Sequence, residues 1–248
     1  MISASLVKEL RELTGAGMLD CKKALEASNG DIKEATTWLR EKGIAKAAKK
    51  ESRIAAEGLA NIIISGNTAV VLEVNSETDF VAKNAEFQDL VKKIGEAILN
   101  NDVKTNDDVL SSSIDGETIS DIIVAKTAKI GEKLSFRRFE KVTKTDSQNF
   151  GSYIHMNGKI AVLITLEGAS EEVAKEVAMH AAAMRPSYVK SSDVPSDVLE
   201  KEKNIMREQL LNEGKPADRI DNILVGKVNK YYEDVCLENQ IFVKAEKK

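Results

Sequence analysis

The run Asn61-Ile62-Ile63-Ile64-Ser65-Gly66-Asn67-Thr68-Ala69-Val70-Val71-Leu72-Glu73-Val74 decides the fold. Two β-branched stretches flank a Ser-Gly-Asn turn signal, which is the pattern of a β-hairpin. The pattern returns downstream, where Ser152-Tyr153-Ile154-His155-Met156-Asn157-Gly158-Lys159 leads into Ile160-Ala161-Val162-Leu163-Ile164-Thr165-Leu166. Each hairpin is followed by helical periodicity. Phe87, Leu90, Val91, Ile94, Ala97 and Ile98 share one face over 87–99, and Val173, Ala174, Val177, Ala178, Ala181 and Met184 share one over 171–184. The strands superpose at an offset of 92 and the helices at 86, so the first copy holds six extra residues between strand and helix. This ordered self-similarity predicts a duplicated α+β core with antiparallel sheets. A further helix over 120–130 and a strand over 133–142 complete the first copy.

Upstream the periodicity is helical throughout. Leu6, Val7, Leu10 and Leu13 mark a first helix with Ser3 or Ser5 as cap, and Thr14-Gly15-Ala16-Gly17 breaks it. Met18, Leu19, Cys21, Ala24 and Leu25 mark a second, stopped at Asn29-Gly30. Asp31 with Glu34 opens a third, whose apolar face is Ile32, Ala35, Trp38 and Leu39 and whose end is read at Gly43. A basic, Ala-rich stretch over 42–53 reads as a helical linker with a solvated face. Downstream of the second copy, Ser192-Asp193 and Pro195 signal a helix start. Asn212-Glu213-Gly214-Lys215-Pro216 signals a turn, and Ile220, Leu224, Val228 and Tyr231 a second stripe. Two helices about a tight turn predict a projecting antiparallel hairpin. The chain thus divides into 1–53 (helical domain and basic linker), 54–142 (first core subdomain), 143–191 (first part of the second), 192–232 (helical hairpin) and 233–248 (a return strand to the second).

Composition excludes several functions. In 248 residues, 36 basic side chains face 40 acidic ones, for a net charge of −4, which argues against a grip on nucleic-acid phosphates. Aromatics at 4% argue against base-stacking platforms. The two cysteines, Cys21 and Cys236, form no CxxC pair, so no structural metal site is expected and both read as reduced, buried thiols. No apolar run spans a bilayer and no secretory leader is legible, so the reading is a cytoplasmic protein without membrane contact. The only histidines are His155, on a hairpin limb, and His180, within an apolar helix; His180 reads as a hydrogen-bonded structural histidine. No nucleophile elbow, metalloprotease helix or phosphate loop is present, so no catalytic residue, cofactor or metal is assigned and an enzyme is not expected.

The informative piece is the surplus, which falls within Asn75-Ser76-Glu77-Thr78-Asp79-Phe80-Val81-Ala82-Lys83-Asn84-Ala85-Glu86. The second copy passes from strand to helix through Glu167-Gly168-Ala169-Ser170 alone. The excursion places Phe80 beside Asp79 in a polar stretch. Two readings stand: a phenylalanine tucked under its own loop, or an exposed aromatic wedge with an adjacent carboxylate, as at protein-binding hot spots.

Leu6 to Ile32, including TGAGM-x-DCKKAL, the Ala45–Lys50 run AKAAKK, LEVNSETDFVAK from Leu72 to Lys83, and GSYIHMNGKIAVLI from Gly151 to Ile164 together resemble the bacterial elongation factor Ts family over nearly the whole chain. The resemblance implies a guanine-nucleotide exchange factor for elongation factor Tu, bound in its GDP-loaded and nucleotide-free states. It implies a ubiquitin-associated-like (UBA-like) N-terminal bundle and a protruding coiled-coil hairpin. It also implies that Thr78, Asp79, Phe80 and Val81 press on the GTPase and dislodge its Mg²⁺. Met18, Leu19 and Lys22 match family contacts from the N-terminal domain, and Lys50 and His155 match weaker ones. Members often continue past the final strand with a further helix, whereas this sequence ends at Lys248, soon after Phe242-Val243. Homodimer contacts are left open. The alternative is an RNA-binding or scaffolding translation protein without exchange activity.

Overall fold

The computed structural model describes residues 2–245. In chain order its helices and strands are α1 (Ala4–Thr14), α2 (Met18–Ala27), α3 (Ile32–Ala48), β1 (Glu57–Ser65), β2 (Thr68–Ser76), α4 (Asp79–Ala82), α5 (Ala85–Asn100), α6 (Asn106–Ser111), β3 (Ser113–Ile114), β4 (Glu117–Thr118), α7 (Ile119–Ile130), β5 (Ser135–Thr143), β6 (Gln148–His155), β7 (Ile160–Glu167), α8 (Glu171–Met184), α9 (Ser196–Asn212) and α10 (Ala217–Val235). Helices with small antiparallel sheets make this an α+β protein. Two compact units are distinguished, residues 1–148 with 154–163, and residues 149–153 with 164–248.

The first unit begins with three packed helices. Ser3 Oγ accepts the Leu6 N–H at 3.2 Å to start α1, and Asp31 Oδ1 accepts the Glu34 N–H at 2.8 Å to start α3. Val7, Leu10, Cys21, Ala24, Leu25 and Ala35 form their buried cluster. The expected stop at Gly43 does not occur, because α3 runs on to Ala48. The reason is packing against α7: a Cβ at Gly43 would lie 3.4 Å from the Ala128 Cβ, so the glycine lets two helices approach instead of ending one. Arg40 and Asp121 pair across the same contact at 3.0 Å.

Beyond the linker, β2 lies between β1 and β5, antiparallel to both. Ile62 faces Val71 in one ladder and Leu72 faces Phe139 in the other. Alternation along β2 buries Val70, Leu72 and Val74, and α5 covers them with Phe87, Leu90, Val91, Ile94 and Ile98. At Gly95 a Cβ would fall 2.6 Å from Ile63 Cδ1, so this glycine sets how closely α5 lies on the sheet. The expected helices and the strand after them form within about two residues, and the hairpin forms with its first strand begun earlier, at Glu57. The short α4, α6 and the β3–β4 pair were not read from the sequence. α6 nevertheless carries its own signature, a capping box between Thr105 and Asp108.

In the second unit, Ser170 Oγ accepts the Val173 N–H at 3.3 Å to start α8, which buries Ala174, Ala178, His180 and Ala182. The predicted pair of helices forms as α9 and α10, with Leu210, Ile220 and Leu224 buried and Arg207 paired to Asp221 at 3.1 Å. His180 has the structural role expected of it. Its Nδ1 accepts the Val243 N–H at 3.0 Å, its Nε2 meets Gln240 Oε1 at 3.1 Å, and its ring stacks on Phe242. The return strand over 233–248 is corrected. α10 continues to Val235, a single bridge joins Tyr188 to Cys236, and a 3₁₀ turn over Leu237–Asn239 follows. The Asn239 N–H turns back to the Cys236 carbonyl at 3.0 Å to close the 3₁₀ turn, and farther on the Val243 N–H goes to His180 Nδ1 in place of a strand neighbour. Residues 246–248 of that stretch lie outside the described residues.

Candidate partner-binding site

All nine residues singled out from the sequence lie in the first unit. The surplus between β2 and α5 is not an irregular loop. Residues 79–82 form α4, a single helical turn that has too few internal hydrogen bonds to hold itself. Its order comes from three sources. Val81 and Ala82 are buried in the core of the sheet and α5. Thr78 Oγ1 caps the turn by accepting the Val81 N–H at 3.5 Å. Asp79 Oδ2 pairs with Lys83 Nζ at 2.6 Å along the same turn. With Val81 and Ala82 turned inward, the helical geometry turns Phe80 outward, and it is 80% exposed. Of the two readings of Phe80, the one that tucks it under its own loop is excluded.

Electrostatics fix the segment further. Lys83 holds the Asp79 carboxyl below the usual carboxylate range, with a smaller push from Lys159. Lys159 belongs to the β6–β7 turn that also carries His155, and this turn is tied to β1. Ala60 N–H donates to the Gly158 carbonyl at 2.8 Å, and Lys159 pairs with Glu57. His155 is exposed at the end of β6, and the next residue, Met156, is 69% exposed. Met156 and Asn157 both have positive φ, at 49° and 53°, a backbone state that costs energy for these side chains. At the other end of the segment, the Lys133 N–H, bound at 2.6 Å, is the main cause that lowers the Glu77 carboxyl, with Arg53 and then Lys50 adding to it. Lys50, Asp79 and the His155 turn are therefore electrostatic neighbours of one segment.

Met18 and Leu19 open α2 and are 57% and 74% exposed, while Lys22 reaches Glu26 at 3.9 Å one turn on. The turn that precedes them touches the same region: a Cβ at Gly15 would lie 2.9 Å from Lys129 Nζ, and Lys129 pairs with Glu86 in the first turn of α5 at 2.8 Å. Lys126 pairs with the same Glu86, and the two lysines hold its carboxyl low. Among the described residues no group of three or more His, Cys, Asp and Glu side chains is placed to hold a metal, and no helix is long and apolar enough to cross a membrane. What the surface offers is an apolar side chain on a braced turn, a second apolar pair on α2, and a rim of fixed charges. An exposed apolar side chain ringed by charged groups is the kind of surface that protein partners bind.

The family profile described as Elongation factor TS matches residues 77–248, beginning at the braced segment itself. The chain belongs to the elongation factor Ts family. Elongation factor Ts of Acholeplasma laidlawii (strain PG-8A) is 50% identical over 248 residues, covering 98% of this chain and 84% of that protein, so the likeness takes in the N-terminal helices as well. Members of the elongation factor Ts family are the nucleotide exchange factors of elongation factor Tu. Of the residues singled out from the sequence, Phe80, Met18 and Leu19 are exposed and Val81 is buried as an anchor, and the support of the turn was missed. Glu132, which accepts hydrogen bonds from Thr78, stands far away in sequence after α7, and no local pattern points to it. Met156 had a weak signal, an apolar residue beside Asn-Gly at a hairpin tip.

Proposed function

We propose that this chain binds elongation factor Tu and accelerates release of GDP from it by pressing the Thr78–Val81 segment against the GTPase near its Mg²⁺ site. The observation that carries this reading is Phe80: a large apolar side chain, 80% exposed, on a turn whose next two residues, Val81 and Ala82, are buried. Exchange requires no covalent chemistry. A GTPase holds its nucleotide through backbone N–H groups around the phosphates and a bridging Mg²⁺. A factor that binds the empty GTPase better than the loaded one must, by linkage, weaken nucleotide binding by the same factor. A ten-thousand-fold effect corresponds to about 5.5 kcal/mol of differential binding, within the reach of a few hot-spot residues.

In this reading Phe80 enters between partner elements that position Mg²⁺, and Asp79, kept ionised by Lys83, meets partner N–H groups or draws a cation away from the metal. Met18 and Leu19 give an apolar foothold with Lys22 at its rim, and Lys50 and His155 contribute at the edges. The N-terminal helices are a UBA-like bundle that presents α2, and α9 with α10 are a coiled-coil arm for a second contact or for homodimer formation. The protein acts in the cytoplasm on both GDP-bound and nucleotide-free partner and is not an enzyme. The test is release of a fluorescent GDP from purified elongation factor Tu. Addition of this chain is expected to accelerate release many-fold; an unchanged rate would refute the proposal.

A further inference from the structure

Two carboxylates cross at the base of α4. Glu132 Oε2 accepts the Thr78 N–H at 3.0 Å, and its Oε1 accepts the Thr78 hydroxyl at 2.7 Å. In return, Glu77 Oε1 accepts the Lys133 N–H at 2.6 Å. The Thr78 hydroxyl is thereby oriented. Its proton goes to Glu132, which leaves a lone pair aimed at the Val81 N–H as the cap of α4. The Thr78 carbonyl is occupied as well, by Ser76 Oγ at 2.9 Å. Thr78 is thus held at its N–H, its hydroxyl and its carbonyl. Two of these three holds, and the direction of the cap, depend on one half-buried side chain from a distant loop.

We infer that Glu132 is a positioning residue for nucleotide exchange, acting through Phe80 by fixing the turn that carries it. The inference rests on the wedge reading of Phe80 given above. A one-turn helix has no independent stability, so its direction is set by its tethers. Val81 and Ala82 anchor the inner side but leave rotation about the turn's entry to Thr78. The bidentate, charge-assisted grip of Glu132 removes that rotation. The partner then meets Phe80 already aimed, and the cost of ordering it is not taken from the binding energy. Phe80 works in the step that displaces nucleotide, so the ordering cost that Glu132 removes falls on that step, and its contribution is expected in the maximal rate more than in the half-saturating concentration.

The test measures release of fluorescent GDP from elongation factor Tu at increasing concentrations of this protein. Glu132→Ala and Glu132→Gln are each made in the wild-type chain and in Phe80→Ala. In the wild-type chain, Glu132→Ala is expected to lower the maximal stimulated rate about ten-fold, since small misplacements of a working group have effects of that order or more. The half-saturating concentration should change by less than the maximal rate does. Glu132→Gln should recover part of the rate, because its carbonyl oxygen still accepts one of the two Thr78 bonds. In the Phe80→Ala chain, neither substitution should slow release further. Equal slowing in both backgrounds would overturn the inference, because Glu132 would then act independently of Phe80. Normal rates for both Glu132 variants, beside a slow Phe80→Ala, would overturn it while leaving the wedge reading intact. A normal rate for Phe80→Ala would refute the wedge reading and this inference with it. Thermal melts of every variant identify any that fail to fold, and Glu132→Gln, which keeps shape and one hydrogen bond, carries the test if Glu132→Ala is among them.

Discussion

Two hairpins in this chain each hand over to a helix, and they do so differently. After β7 the chain reaches α8 through residues 168–170, with Ser170 as the cap and nothing to spare. After β2 it takes residues 77–84, folds part of them into α4, buries Val81 and Ala82, and leaves Phe80 in solvent. The short join shows what connecting strand to helix requires. The long one is therefore not explained by connection, and an extra turn that orders an apolar residue outward is costly unless something receives it. The contrast between Phe80 and Phe87 makes the same point within one stretch of chain. Phe87 is fully buried under α5 against the sheet, while Phe80 touches little of its own protein.

That contrast breaks first at Phe87. Phe87→Ala empties a fully buried site and should cost about 3–5 kcal/mol of stability, visible as a lower midpoint in urea unfolding. A shift of only a few tenths of a kcal/mol would mean that the core described for α5 is wrong. Next comes the short join: Ser170→Ala removes the cap of α8 and should cost about 1 kcal/mol, with the rate of stimulated GDP release unchanged once the protein is folded. A loss of exchange activity without loss of stability would show that the short join is also a working surface. The smallest effect concerns Glu77. Its carboxyl sits below the ordinary value of 4.5, chiefly through the Lys133 N–H. A lowered folded value means that the ionised form favours the fold. Its contribution is complete above pH 4.5 and disappears as the pH falls through the lower folded value. Melting temperature measured on acidification should therefore fall more steeply for the wild-type chain than for Glu77→Gln; parallel curves would remove Glu77 from the brace.

Much of this was legible in the sequence because local chemistry wrote it there. Ser-Gly-Asn between β-branched runs gave the first hairpin, and the Phe87–Ile98 periodicity gave α5. Asp31 with Glu34 marked the start of α3. What was not legible depended on residues far apart. Gly43 looks like a helix stop until α7 is seen against it, and the apolar Ile241-Phe242-Val243 run looks like a strand until His180 is seen holding it as coil. At the site, the sequence delivered Phe80 and Asp79 with both of their readings open. The choice between buried anchor and exposed wedge needed the inward turn of Val81 and Ala82, which is a tertiary fact. Glu132 shows the same limit from the other side, since its role exists only where the loop after α7 meets Thr78.

The central claim is that Phe80 works on the partner and not on its own fold, and Phe80→Ala tests it with two readouts on one protein. Stimulated release of fluorescent GDP from elongation factor Tu should fall at least about ten-fold, the loss of a hot spot being on the order of 2 kcal/mol, while the thermal unfolding midpoint stays within about a degree of the wild-type value, as for other exposed side chains. A variant that melts many degrees lower yet exchanges nucleotide at the wild-type rate would contradict the account.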